Sequence, residues 1–162
     1  MEFYPIPQPE EVTEREKQDA MGAYLMMFAT TALGLPLPIV NMIASVVYFF
    51  VNKSKGRFVQ FHSLQSMYSQ IPVSLLNSYL IVWAVYIFAN DAAFTNVFWG
   101  LLITAGIFNL FYFIFSIIGA VKAYHGRFYY FLFFGKIAYI QAYKIKNETE
   151  VKQQQMNMPP KM

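Results

Sequence analysis

Few side chains in this 162-residue chain could do chemistry, and most of those that could lie in apolar segments at helical spacing. Three rows of polar or small residues recur at offsets of three and four. The rows are Asn41, Ser45, Tyr48 and Asn52; then His62, Ser66, Ser69 or Gln70, Val73 and Asn77; then Asn109, Tyr112, Ser116, Gly119 and Ala123. This spacing puts each row on one helix face. Membrane helices use such faces for close packing and interhelical hydrogen bonds, and the alternative is a polar path or pocket.

The titratable groups favour a non-enzymatic protein. His62 could relay protons or sense pH, or it could hydrogen-bond at the entry of a helix. His125 is the only other histidine, and the chain has no cysteine, so we predict no metal site, no disulfide and no thiol chemistry. Asp91 lies in Asn90-Asp91-Ala92, which is typical of a solvated turn. Since no catalytic motif or acid–base cluster is present, we predict neither enzyme activity nor a cofactor.

The charge pattern indicates a membrane protein. From Phe58 to Val121 the only formal charge is Asp91, and basic residues flank this stretch on both sides. The chain is 57% hydrophobic and 13% charged, compared with roughly 25% charged residues in soluble domains. The net charge of +3 comes from basic residues that flank apolar segments, which favours contact with anionic headgroups over nucleic-acid binding. The predicted headgroup anchors are Lys53, Lys55, Lys122, Arg127 and Lys136.

The sequence predicts an all-α integral membrane protein that forms a small helical bundle. A first apolar segment, about 20–51, is interrupted by prolines at 36 and 38 and is either one kinked span or a hairpin that enters and returns. Two long transmembrane helices are predicted at about 61–90 and 93–122, and an interfacial helix at about 128–144. Residues 1–19 form a polar acidic tail, residues 20–146 a single membrane domain, and residues 147–162 a flexible tail.

The positive-inside rule predicts the orientation of a multi-pass protein. It places the Lys53–Arg57 turn and the C-terminus in the cytoplasm and the Asp91 turn on the outer side. The side of the N-terminus depends on whether the first segment crosses once or forms a hairpin, and both possibilities stay open.

Several short motifs resemble those of a known family. The phrase from Phe58 to Gln70, entering a helix after a basic turn, resembles F-V-x-F-H-x-x-Q-A-x-x-x-Q. The stretch 35–41 resembles an I-P-L-x-N element, and 121–129 resembles K-A-x-x-G-x-x-Y. These motifs are similar to those of small bacterial inner-membrane proteins related to the twenty-kilodalton subunit of the chloroplast inner-envelope import translocon, the Tic twenty-like family.

The resemblance implies a bacterial inner-membrane protein that is associated with protein export or with membrane insertion. We therefore expect a non-enzymatic accessory or structural subunit of a larger membrane complex, whose partners are the bilayer, other membrane subunits and a protein translocon. The alternative is a small channel or transporter that uses the polar faces. His62, Gln65 and Gln70 need polar partners in lipid, and we expect Asn41, Ser45 and Asn52 to supply them. The full set of predicted interhelical packing residues is Asn41, Ser45, Asn52, Arg57, Phe58, Phe61, His62, Gln65, Gln70 and Asn77.

Overall fold

A computed structural model describes residues 2–28 and 38–145 of the chain. These ranges hold five α-helices and no strand, with two long apolar helices, and so confirm the predicted fold class. The helices are α1 Glu14–Leu25, α2 Pro38–Asn52, α3 Arg57–Ala89, α4 Asn96–Tyr124 and α5 Leu132–Tyr143, and a 3₁₀ turn, Met26–Phe28, follows α1. The interruption at residues 34–37, Lys146 and the C-terminal tail lie outside the described residues.

Helix α1 begins in the charged segment that precedes the apolar run. Thr13 and Glu16 form a capping box, in which Glu16 N donates to Thr13 Oγ1 at 3.3 Å and Thr13 N donates to Glu16 Oε2 at 3.1 Å. This reciprocal pair satisfies amides that the first turn leaves without helical partners. The first apolar segment was expected to begin at about residue 20, but its helix starts at Glu14, and the α-helical part ends at Leu25.

Helices α1 and α2 form an antiparallel pair. Lys55, just after α2, pairs with Asp19 of α1 at 3.1 Å, and the Tyr48 hydroxyl donates to the Asp19 carbonyl at 2.8 Å. The C-terminal end of α2 therefore lies beside the N-terminal half of α1. Of the two arrangements that the sequence left open, this geometry favours the hairpin. At 15 residues, α2 is about 22 Å long, which is shorter than the ~30 Å apolar core of a bilayer.

Within residues 2–28 and 38–145, helices α3 and α4 are the two that are long and apolar enough to cross a membrane. With 33 and 29 residues they measure about 50 and 43 Å. Helix α3 begins at Arg57, four residues before the predicted start, because Gly56 supplies the turn with a φ of 128°. The first part of α3 is buried by α1, α2 and α5, whereas its far half packs on α4 through the cluster Leu80, Ile87, Phe98 and Ala105.

The turn between the long helices is built as a helix stop followed by a helix start. Asp91 adopts a left-handed conformation with φ 51°, and Ala92 N donates to the Ile87 carbonyl at 3.0 Å, which is the long bond of a Schellman motif. Thr95 then caps α4 by accepting from Phe98 N at 3.2 Å. Helix α4 therefore runs over Asn96–Tyr124, shifted by two to three residues from the predicted 93–122. Asp91 is exposed, as expected of a turn.

Helix α5 and the N-terminal segment cover the end of the molecule where α3 begins, which we call the closed end. Helix α5 begins at Leu132, four residues later than predicted, because residues 128–131 are non-helical and Phe128 and Phe131 pack inward against aromatic rings. The N-terminal segment lies along the end of α5: Tyr4 N donates to the Tyr143 carbonyl at 2.9 Å, and Ile145 N to the Glu2 carbonyl at 3.1 Å. These contacts place the N-terminal segment beside the turn that carries Arg57.

Candidate functional site

A buried hydrogen-bond network joins α1, α3 and the segment before α5. Gln65 Nε2 donates to the Tyr24 hydroxyl at 2.7 Å, and Tyr24 Oη lies 2.9 Å from His62 Nδ1. Gln65 Oε1 accepts from Phe131 N at 3.0 Å. The direction of the bond between Tyr24 Oη and His62 Nδ1 depends on the His62 tautomer, because a hydroxyl that accepts from Gln65 can either donate to Nδ1 or accept a second hydrogen bond from it. One glutamine therefore connects three segments through a tyrosine hydroxyl and a backbone amide.

His62 is enclosed by aromatic rings. Its centroid lies 4.5 Å from that of Phe58, 4.9 Å from Phe61 and 5.9 Å from Phe128. His62 is fully buried, and Nε2 has no hydrogen-bond partner among the described residues. A proton relay needs an exchange partner on each side of the ring, and this ring has one on a single side. The geometry therefore favours the packing interpretation of His62 over the relay.

Serine side chains fasten α1 and α2 to the next turns of α3. Ser66 Oγ donates to the Ala23 carbonyl at 2.7 Å, and the Ser45 hydroxyl donates to Gln70 Oε1. Further along, Tyr112 of α4 is buried facing Ser66 and Ser116. Small residues allow the close approach, because a Cβ on Gly119 would lie 2.8 Å from the Tyr24 ring. The predicted polar rows on α3 and α4 therefore face the interior near the closed end.

Only part of the predicted pairing is observed. Ser45 does bond to Gln70, but His62 and Gln65 bond to Tyr24 instead of the α2 residues. Asn52 donates to the Tyr48 carbonyl within α2 at 2.8 Å. Asn41 is half-buried on α2. One feature of the sequence could have indicated Tyr24, since a tyrosine hydroxyl inside an uncharged segment needs a partner when buried.

A second polar contact joins α3 and α4 away from the network. The side-chain amides of Asn77 and Asn109 bond reciprocally, at 2.9 Å from Asn77 Nδ2 and 2.8 Å from Asn109 Nδ2. Asn109 Nδ2 also lies 2.7 Å from the Ala105 carbonyl of its own helix. Asn77, selected from its spacing, is therefore an interhelical contact, and Asn109 of the third polar row is its partner.

The basic residues gather near the closed end of the molecule. Lys53, Arg57, Lys122, Arg127 and Lys136 are exposed, whereas Lys55 is partly buried by its pair with Asp19. The Arg57 guanidinium lies 3.3 Å from the centre of the Tyr4 ring, a cation–π contact. Burial raises the pKa of the Tyr143 hydroxyl, and the nearby positive charge of Arg57 opposes this shift. The role of Lys53, Lys55, Lys122, Arg127 and Lys136 as headgroup anchors stays a prediction.

The site has the chemistry of a structural core. Its members are neutral hydroxyls, amides and one imidazole. In residues 2–28 and 38–145 no three histidine, cysteine or acidic side chains come together as a metal site. Tyr24, Gln65 and Ser66 bond between segments of the chain. The large apolar side chains of the far half, such as Val82, Val85, Phe88 and Ile103, are exposed. This combination of a hydrogen-bonded interior and an apolar exterior defines a helical membrane protein.

Comparison with known sequences gives the family. A profile of the magnetosome magnetite crystal formation protein family (MamF/MmsF) matches residues 15–138. The match covers most of the chain and takes in α1 to α4 and the first half of α5, so the protein belongs to this family. No curated protein and no solved structure matches the chain.

Family membership corrects the resemblance drawn from the short motifs. The chain is not identified with the Tic twenty-like family, and the expected role in protein export or insertion, with a translocon as partner, is wrong. The channel or transporter alternative has no support either. The motifs from Phe58 to Gln70 and from 121 to 129 lie inside the matched region and contribute to helix packing. The membrane character and the bilayer as a partner agree with the family.

Proposed function

We propose that this protein is a non-enzymatic component of the magnetosome membrane that takes part in the formation of magnetite crystals. The observation that carries the proposal is the family match over residues 15–138, which includes the buried network of Tyr24, His62, Gln65 and Phe131. The fold supports a structural role, because its buried polar side chains bond to one another and to backbone groups.

The proposed orientation follows from the placement of charge. The basic turn Lys53–Arg57, the N-terminal segment and the end of α5 lie together, and the Asp91 turn lies at the far ends of α3 and α4. The positive-inside rule then puts the closed end in the cytoplasm of a bacterial cell. The Asp91 turn faces the opposite compartment. Helices α3 and α4 cross the bilayer, and the α1–α2 hairpin enters and leaves on the cytoplasmic side.

The mode of action that best fits this body is that of an accessory subunit beside other membrane proteins. The far halves of α3 and α4 contact mainly each other, so each leaves a wide apolar surface for lipid or for neighbouring helices. The exposed turn carries one carboxylate, Asp91, and a single carboxylate falls short of a divalent-cation site. We therefore propose organisation of the membrane, since residues 2–28 and 38–145 of one copy hold no cluster of three metal-ligating side chains.

A genetic complementation experiment tests this function. The host is a magnetite-forming bacterium whose own genes for MamF/MmsF-family proteins have been deleted. In this host the wild-type chain should restore crystal size and shape, measured by electron microscopy. A His62→Gln variant that accumulates normally in the membrane should restore them too, because the proposed role needs packing and no proton transfer. Crystals unchanged by the wild-type chain would overturn the function. A well-folded His62→Gln protein without activity would overturn the non-enzymatic mechanism.

A further inference from the structure

A polar cavity of about 300 Å³ opens at the closed end of the molecule. It lies between the N-terminal segment, the turn that joins α2 to α3, the first turn of α3 and the end of α5. Its lining residues are Tyr4, Lys53, Ser54, Gly56, Arg57, Gln60, Gln141, Ala142 and Lys144. The hydrogen-bond network described above lies deeper in the protein, so this cavity is a separate feature.

The lining of this cavity is cationic. Lys53, Arg57 and Lys144 come from three segments of the chain, and no acidic residue is among the lining residues. In the described ranges the two ion pairs are Lys17–Glu14 and Lys55–Asp19, so none of the three cavity cations has a carboxylate within ion-pair distance there. Lys55, one residue away from the lining, shows the contrast, since Asp19 neutralises it at 3.1 Å.

The cations are held in position by neighbouring rings. Arg57 stacks 3.3 Å from the Tyr4 ring centre, and Lys53 Nζ lies 5.3 Å from that of Phe50. Tyr4 is itself fixed by its backbone bond to Tyr143. Two positive charges are therefore oriented without being neutralised, which leaves them available to an anion.

Neutral donors complete the surroundings. Ser54, Gln60 and Gln141 offer hydroxyl and amide hydrogens, and Gln141 engages only its Oε1 with the Tyr68 hydroxyl. Gly56 caps α3 without a side-chain hydrogen bond, so the positive end of the helix dipole lies at the same edge. The Glu16 carboxylate lies beside Gly56 and lines a neighbouring cavity, and its Oε2 accepts from Thr13.

We propose that this cavity binds a phosphate group, supplied either by an anionic lipid headgroup or by a soluble phosphate. An arginine and two lysines around neutral donors match the charge and the acceptor oxygens of a phosphate mono- or diester. The cavity is formed only when the N-terminal segment and the end of α5 lie against the α2–α3 turn, so an anion bound there stabilises the closed end.

The test uses the full chain in a neutral detergent and separates the two sources. Inorganic phosphate is titrated by calorimetry, and phosphatidylglycerol is compared with phosphatidylcholine by native mass spectrometry. Selective binding of phosphatidylglycerol alone assigns a lipid, and binding of inorganic phosphate assigns a soluble ligand. Absence of both overturns the proposal.

Charge-removal variants locate the binding. Lys53→Gln with Lys144→Gln should weaken binding about fivefold per removed charge. The control pair Arg15→Gln with Lys17→Gln removes two charges from α1, outside the cavity and outside the predicted headgroup anchors, and should leave binding unchanged. Arg57→Gln should abolish binding. If that variant fails to fold, the Lys53→Gln/Lys144→Gln variant still tests the site, because neither lysine is buried. Equal weakening of binding by the cavity pair and the control pair would show an effect of general surface charge and would overturn the site.

Discussion

The buried polar side chains at the closed end work in both hydrogen-bonding directions. Gln65 donates to the Tyr24 hydroxyl and accepts from Phe131 N, so its amide serves two segments that are far apart in sequence. In an apolar interior, removing such a group destabilises the protein by more than its hydrogen bonds contribute to the net free energy of folding. The reason is that the partners left behind cannot bond to water.

Replacing Gln65 with leucine should therefore destabilise the protein strongly. The buried Tyr24 hydroxyl loses its donor and Phe131 N loses its acceptor, and each unpaired group costs about 1–3 kcal/mol. The same substitution at Gln60, which is partly exposed on the same helix, should change the free energy of unfolding by less than about 0.5 kcal/mol. Thermal unfolding of both variants in detergent measures the difference, and equal midpoints would show that the network contributes no stability.

Helix boundaries show what composition can and cannot predict. The existence of α3 and α4 follows from the absence of charge, because uncharged helices of that length require lipid. The start of α1 was missed because the Thr13–Glu16 capping box draws a charged segment into the helix. The start of α5 was missed because residues 128–131 bury aromatic rings in a non-helical conformation. Hydrophobicity alone does not distinguish a helical aromatic segment from a non-helical one.

The contact between the two long helices offers a prediction at the scale of elements. Asn77 and Asn109 bond reciprocally, so removal of either leaves the other amide incompletely paired. A double-mutant cycle with Asn77→Leu and Asn109→Leu should give a coupling energy of about 0.6 kcal/mol, with an upper bound of about 1.7 kcal/mol, as for hydrogen bonds between membrane helices.

Denaturant titration of the four proteins in mixed micelles measures that coupling. A cycle of Asn77→Leu with Thr104→Ala provides the control, because the Thr104 hydroxyl bonds to the Gly100 carbonyl of its own helix at 2.8 Å. The control cycle should be additive within about 0.3–0.5 kcal/mol. Strict additivity in the asparagine cycle as well would mean that the amide pair does not fasten α3 to α4.

For the whole molecule, the sequence specifies the environment better than it specifies the contacts. His62, Gln65 and Gln70 are recognisable as polar groups that need partners in an apolar segment, but the choice of Tyr24 over Asn41 or Asn52 depends on how α1 packs across α3. The function could not be read from the same residues, because short apolar motifs that secure helix packing are compatible with unrelated roles. The division into tails and one membrane domain stays a prediction.

The arrangement of the first segment gives a prediction about topology. Asp19 pairs with Lys55, and the N-terminal segment bonds to the end of α5, so the N-terminus and both basic ends of the long helices lie on one side. Because the native chain has no cysteine, single cysteines at the exposed positions Glu10, Ser54 and Ala92 report this directly. In sealed vesicles of known orientation, an impermeant thiol reagent should label Glu10→Cys and Ser54→Cys from the cytoplasmic side and Ala92→Cys from the other. If Glu10→Cys and Ala92→Cys were labelled from the same side, the first segment would have to cross the bilayer once. That arrangement is incompatible with the ion pair between α1 and the α2–α3 turn.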